Sequence, residues 1–303
     1  MITRVTHQST QRAALNNLQA TQGRLAQLQE QASSGKIITK ASDDPAKAAD
    51  AMALRKEQQA TAQYTRNIQD GVSWLTTIDT SIGSSLSYLN RARDLAVQGA
   101  STGTLNPEAR EAIAVELEGI RDALVAQANT TYLGRSVYAG TSDGPAYTRD
   151  TLTGEYTYNS SAGTVERRTG ASTTVRVDAD GAAVFGTSND PDSPDVAVFA
   201  LLDDMAATLR AGGSVQGDIA KIDGRRDKML AEVTGVGART NQLEGSKETL
   251  THKAMSLKGD LSAVEDIDLA ATVIELQMQE VAYQAALGAT ARVLQPSLLD
   301  YLK

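Results

Sequence analysis

Residues 262–288 read SAVEDIDLAATVIELQMQEVAYQAALG, and the spacing of their apolar positions decides the fold. Val264, Ile267, Ala271, Ile274, Met278, Val281, Ala285 and Gly288 recur in steps of three and four, a heptad seam that predicts a helix packed along its whole length. Leu269, Val273, Leu276, Tyr283, Leu287 and Leu294 keep the same repeat but lie roughly 140° further round the helix at 100° per residue. A helix that is apolar on two faces needs two sets of neighbours. Ser262 and Glu265 have the spacing of a capping box, which places the expected start of this helix at Ser262.

One seam has a candidate partner at the other end of the chain. Leu15, Leu18, Leu25 and Leu28 are spaced three, seven and three apart, on one helical stripe. Residues 1–40 carry five Lys/Arg and one Glu, whereas residues 262–303 carry six Asp/Glu and two Lys/Arg, so the two ends have opposite charge. The other seam has nothing left within one chain to pack on, and neighbouring copies are its expected partners.

Between these arms the punctuation is clear. Ser33-Ser34-Gly35 interrupts the first helix. Asp44-Pro45 starts the next, with Asp44 placed to cap free N–H groups and Pro45 in the first turn, where its missing N–H costs nothing. No Pro follows before Pro107, so a helix of roughly 80 Å from Pro45 to Gln98 is expected at 1.5 Å per residue. Asn106-Pro107 repeats the start signal for a shorter helix fading near Ala128. From about Tyr132 to Phe185 the chain becomes Gly-punctuated and rich in Thr and Tyr. Val137 to Gly140, Tyr156 to Tyr158 and Thr174 to Val177 read as short strands, with Asp180-Gly181 as a hairpin turn. Asp195 is placed to cap a helix that Gly212-Gly213 ends, and a second long helix is expected from about Gln216 to Lys258. The expected fold is mainly α: a long antiparallel coiled coil or bundle formed by the N- and C-terminal arms, with a small β domain inserted in the middle. The expected parts are residues 1–44, 45–140, 141–194, 195–261 and 262–303. Residues 141–194 are expected to be removable, because the helices around them would form their own core.

Composition narrows the function. The 303 residues are 41% apolar but only 4% aromatic, and five of the nine Tyr fall between Tyr132 and Tyr158, so the outer parts must pack with aliphatic side chains. Cys is absent, which excludes disulfides, thiolate metal sites and thiol nucleophiles. A formal charge of -8 argues against nucleic acid as a partner. No apolar run reaches membrane-spanning length, and the N-terminal residues lack an apolar signal core, so any export is expected without a cleaved signal peptide. His7 and His252, the two histidines, fall far apart in an antiparallel pairing and suit no shared metal. Asp190, Asp192 and Asp195 lack the central Gly and final Glu of a calcium loop, and Gly235-Val236-Gly237 lacks the third glycine of a nucleotide loop. No nucleophile, base and orienting group stand at recognisable spacing, so neither a catalytic set nor a cofactor is expected.

Ser33-Ser34-Gly35-Lys36, continuing through Lys40-Ala41-Ser42-Asp43-Asp44-Pro45-Ala46, closely resembles the N-terminal motif of the flagellin family. Arg66 to Gly71 and Leu89 to Gln98 follow in that family's order. Within the family, Trp74 after Asp70-Gly71, Leu133 to Thr141, Val177 to Gly186 and the ending Leu294 to Leu302 resemble the hook-associated junction branch, with filament flagellin as the alternative. The resemblance implies a structural, self-assembling flagellar protein, exported by the flagellar type III apparatus with a chaperone, outside the cell. It further implies partners on both sides, the first hook-associated protein and flagellin, beside copies of itself. Residues 1–44 and 262–303 would then form an inner tube, the long helices a shell, and residues 141–194 an outer domain.

Overall fold

The computed structural model describes residues 7–100, 106–161 and 163–294. Among them are seven helices: α1 (His7–Ser34), α2 (Pro45–Ala100), α3 (Pro107–Ala128), α4 (Gly181–Phe185), α5 (Val198–Arg210), α6 (Asp218–Glu265) and α7 (Leu269–Leu294). Six short strands pair as three antiparallel ladders. These are β1 (Thr131–Tyr132) with β2 (Arg135–Ser136), β3 (Tyr147–Arg149) with β4 (Tyr156–Tyr158), and β5 (Glu166–Arg168) with β6 (Thr174–Arg176). Contacts divide the chain into two compact units, residues 1–60 with 253–303, and residues 61–252.

The helix starts follow the sequence signals. Asp44 Oδ1 accepts the N–H groups of Ala46 and Lys47 at 3.1 Å each, and Asn106 Oδ1 accepts that of Ala109 at 2.8 Å. These bonds satisfy donors that an uncapped first turn leaves free. Along α2, Ile68, Gly71, Leu75, Ile78, Ile82, Ser85, Leu89, Ala92 and Ala96 are all buried and alternate in steps of three and four. Along α6, Ile222, Met229, Val236, Leu243, Leu250 and Leu257 are buried at intervals of seven. Both are heptad columns. The second explains why the capping-box expectation fails. The column runs on to Val264, so α6 continues through Ser262 to Glu265. The last helix starts instead behind Asp268, whose Oδ1 accepts the N–H of Ala271 at 3.1 Å.

Three further expectations in the middle region need correction. Val137 to Gly140 is no strand; it is buried chain leading out of β2. Asp180 and Gly181 do not turn a hairpin: Asp180 Oδ1 caps Ala182 and opens α4. Asp195 caps nothing, since α5 begins after Ala197 and the Asp195 carboxylate pairs with Lys228 at 2.7 Å. In each case tertiary partners outweigh a local signal.

The larger correction concerns residues 141–194. They do not stand apart from the helices. Tyr147, Tyr156 and Phe185 converge on Phe199 of α5, with ring centroids 5.1, 5.2 and 5.7 Å away. These side chains belong to the same buried cluster as Leu117, Leu124, Leu202 and Met205, at the packed faces of α3 and α5. Polar staples reinforce the join. Asp203 accepts bonds from Arg121, from Arg149 at 3.1 Å and from the Tyr156 hydroxyl at 3.0 Å. Buried Arg225 donates to the carbonyls of Val196 at 2.8 Å and Ala183 at 3.3 Å, and burial pulls its pKa below the usual arginine value.

Deleting residues 141–194 and rejoining the ends with a short Gly/Ser turn should therefore abolish cooperative folding of residues 61–252. Phe199→Ala alone should cost about 3 to 5 kcal/mol. Thermal unfolding checks both: a deletion variant melting cooperatively at the wild-type temperature would show that the helices do hold a core of their own.

Candidate assembly surface

The surface is built on two chain reversals in the terminal unit. At Ser34 α1 stops, because Gly35 adopts φ +70°, a left-handed conformation open to glycine at little cost. Gly35 N–H still bonds back to Gln31 O at 2.8 Å. The next residues lie antiparallel to the break between α6 and α7: Ile37 N–H donates to Glu265 O at 2.7 Å, and Ile267 N–H donates to Gly35 O at 3.1 Å.

Glu265 closes this join with its side chain. The carboxylate, only 5% exposed, receives Lys36 Nζ at 3.0 Å and Arg55 Nη2 at 2.7 Å. Burial raises its pKa, but the hydrogen bonds and charges of Lys36 and Arg55 outweigh that, and the net displacement is downward. The remainder of the motif completes the turn. Asp43 Oδ2 accepts the N–H of Thr39 at 3.2 Å, its hydroxyl at 3.1 Å, and the N–H of Lys40 at 2.8 Å. These bonds, the one from Lys40 N–H foremost, hold the Asp43 pKa below its ordinary value. Ser33, Ala41 and Ser42 are exposed, and Pro45 opens α2 behind the Asp44 cap. The motif read from the sequence is thus a double turn latched onto Glu265.

The latch sets the pairing of α1 with α7. The two helices pack together antiparallel, and Gln279 Nε2 donates to Thr21 O at 3.2 Å midway along. On α1 the inward line is Gln11, Ala14, Leu18, Thr21, Leu25 and Leu28, half-buried in alternating steps of three and four. Leu15 falls outside that line and is 49% exposed, a correction to the expected stripe. On α7 the inward line is Thr272, Leu276, Gln279, Tyr283, Ala286 and Thr290. It takes Leu276 and Tyr283 from the second expected seam, while Leu269, Val273 and Leu287 of that seam stay exposed. Leu294 ends α7, and its side chain lies outside the described residues.

The first expected seam is not continuous, because the chain leaves helical geometry between Glu265 and Leu269. Val264 belongs to α6 and Ile267 to the break. Beyond the break its residues form an exposed stripe on α7. Ile274, Met278 and Val281 are 59%, 62% and 66% exposed, and Ala271, Ala285 and Gly288 are exposed with them. From Ile274 to Gly288 this stripe lies roughly 120° to 180° round the helix from the α1-facing line, at 100° per residue. An apolar stripe is thus bare on the far face of a helix whose near face is already packed.

The other candidates do not converge on a site. Asp192 and Asp195 pair with Lys221 at 3.4 Å and Lys228 at 2.7 Å, and Gly235 and Gly237 lie inside α6. His252 is exposed, 3.9 Å from Glu248, and the His7 side chain lies outside the described residues.

The bacterial flagellin N-terminal helical region matches residues 5–143, and the bacterial flagellin C-terminal helical region matches residues 219–302. Flagellar hook-associated protein 3 of Salmonella typhimurium is 26% identical over 303 residues, covering 93% of this chain and 94% of that protein. Flagellin of Bacillus subtilis is 25% identical over 296 residues, covering 93% of each. Among solved structures, flagellar hook associated protein-3 from Legionella pneumophila superposes with a TM-score of 0.63 at 15% identity, over 70% of this chain and 98% of that one. FlgL from Bacillus cereus gives 0.58 at 22% identity, over 69% and 99%. Both share the fold.

Because the folded-state pKa of Glu265 is depressed, its contribution to stability is present above the ordinary carboxylate range and is lost as pH falls through the folded value. Glu265→Gln should cost about 1 to 2 kcal/mol, toward the low end because Lys36 and Arg55 stay half exposed. Hydrogen exchange at Ile37 and Ile267 should speed up in this variant, and in the wild type on acidification. Unchanged exchange at both amides would contradict the latch.

Proposed function

The chain belongs to the bacterial flagellin family, and on that premise we propose that it is a junction protein joining the hook of the flagellum to its filament. Membership makes it a structural component of the flagellum and not an enzyme. The observation that carries the reading is the bare stripe of Ile274, Met278 and Val281 on the face of α7 turned away from α1. Fully burying such side chains is worth about 1.5 to 3 kcal/mol each. These three are 59% to 66% exposed, so the part of that gain still open favours assembly in every copy around a ring.

In this reading residues 1–44 and 262–303 form an inner tube, the α2 and α6 regions form the shell, and residues 141–194 face outward while sharing the shell's core. The stripe joins copies of the chain to one another. The first hook-associated protein lies on the hook side and flagellin on the filament side, outside the cell, and a chaperone escorts the chain before export. The hook-associated relatives support the junction position. Filament flagellin is the second reading, favoured by the match to the Bacillus subtilis protein along 93% of both chains. Immunogold labelling of intact flagella separates the two: one band at the end of the hook for a junction protein, label along the filament for a flagellin.

Ile274→Asp places a carboxylate in the stripe, where burial without a partner costs several kcal/mol. Filament attachment and motility should be lost while the variant is still exported and its residues 61–252 melt as in the wild type. Glu275→Lys lies off the stripe and should be mild, worth under about 1 kcal/mol. Normal filaments on cells carrying Ile274→Asp would sink the assembly reading.

A further inference from the structure

The apolar column that packs α6 does not stop where α6 stops. Ile222, Met229, Val236, Leu243, Leu250 and Leu257 are buried at steps of seven, and the same step continues through Val264 to Ala271, Met278 and Ala285. The companion line, three residues on, is Ile267, Ile274, Val281 and Gly288. One supercoiled helix with this sequence would keep both lines on a single face. The structure instead leaves helical geometry at Asp266, Ile267 and Asp268, and the packed face changes there. Leu257 is 6% exposed, whereas Met278, in the same column, is 62% exposed.

No residue at the break demands it. Neither Gly nor Pro occurs from Asp260 to Leu287, and Asp266 and Asp268 cost a helix only about 0.7 kcal/mol each relative to Ala. What opens the helix is competition from the turn that follows α1. In a continuous helix the Ile267 N–H would donate to Ala263 O, and the Leu269 N–H to Glu265 O. Here the Ile267 N–H donates to Gly35 O at 3.1 Å, and Glu265 O takes the Ile37 N–H at 2.7 Å. Lys36 and Arg55 fix the Glu265 side chain at the same place, at 3.0 and 2.7 Å. Residues 35–37 thus engage, from outside, a donor and an acceptor of the missing turn.

We propose that residues 266–268 are a two-state joint. While residues 35–37 are seated, they hold α6 and α7 apart. When they withdraw, the two helices join, and the stripe of Ile274, Met278 and Val281 falls into phase with the α6 column. The face of α7 is then set by α6 instead of by α1. The exchange is close to even: two backbone bonds and the Asp268 cap are traded for the helical bonds of the missing turn, and the Lys36 and Arg55 pairs favour the open form. Each crossing between the states frees the Ile267 N–H to exchange. The device couples the two ends of the chain, because the stripe is turned away from α1 only while the segment after α1 is seated. A chain therefore presents its assembly face after its ends have met. That consequence rests on the assembly reading, whereas the joint itself does not.

Ile37→Pro removes the N–H that Glu265 O takes, and Gly35→Val puts a β-branched residue where φ is +70°, so the double variant unseats the turn. NMR of the full chain reads the joint through the Cα chemical shifts of residues 266–268 and through the contact between Val264 Hα and the Ile267 N–H, neighbours in a helix. In the wild type these shifts are expected at non-helical values. In the double variant they should move to helical values and the contact should appear, while the signals of residues 61–252 hold. Leu269→Pro is the control, because Pro is tolerated in the first turn of α7 but not inside a joined helix. Added to the double variant, it should return residues 266–268 to non-helical values. Coil values in the double variant overturn the proposal. So do helical values that survive Leu269→Pro, which would mean only a longer α6. Ile274→Asp tests the assembly reading separately: if the joint closes but that variant builds normal filaments, the joint stands and its role in assembly falls.

Discussion

The buried carboxylate of Glu265 is the interaction on which the terminal unit depends. One residue serves both chain reversals: its backbone oxygen takes the Ile37 N–H, and its side chain takes Lys36 and Arg55. A carboxylate out of water is costly unless its hydrogen-bonding capacity is met, and here two cations meet it. The consequence is geometric. With Gly35 fixed against Ile267, α1 and α7 leave their reversals in a set register, and Thr21 falls opposite Gln279. That register decides which line of α7 faces α1, and so which line is left bare.

The α1–α7 seam is weak by composition. Thr21, Gln279, Thr272 and Thr290 interrupt the few aliphatic and aromatic contacts, and none of the leucines of α1 is fully buried. The rest of the chain is different. In residues 61–252, heptad columns on α2 and α6 are buried, and the aromatic side chains between Tyr138 and Phe199 pack edge to face, tilted or stacked within the same core. A stable body and a pair of marginal helices with a spare apolar face suit a protein whose ends are completed by other copies. Family membership places that behaviour in the flagellum.

The helices were legible in the sequence because their signals are local. Asp44-Pro45 and Asn106-Pro107 need only their own first turns, and both cap as expected. The bare stripe was legible as a repeat, although which of two seams faced α1 was not. That choice is made by the Glu265 latch, 229 residues away from Lys36 in sequence. The boundary at Ser262 was misread because its local spacing imitates a helix start, while the seven-residue column from Ile222 to Val264 carries the helix through. That column stands in the sequence and could have been counted. The shared core around Phe199 could not, since short Tyr-rich strands look alike whether they pack on one another or on helices.

The most direct test of the central claim is the chemical accessibility of the stripe in monomer and assembly. Met278 and Met255 are similarly exposed in the isolated chain, at 62% and 65%, and both should form sulfoxide readily with dilute peroxide. In intact flagella, mass spectrometry should find Met278 protected by an order of magnitude or more relative to the monomer. Equal oxidation of Met278 in the two states would mean that the stripe stays in solvent after assembly, and would contradict the account.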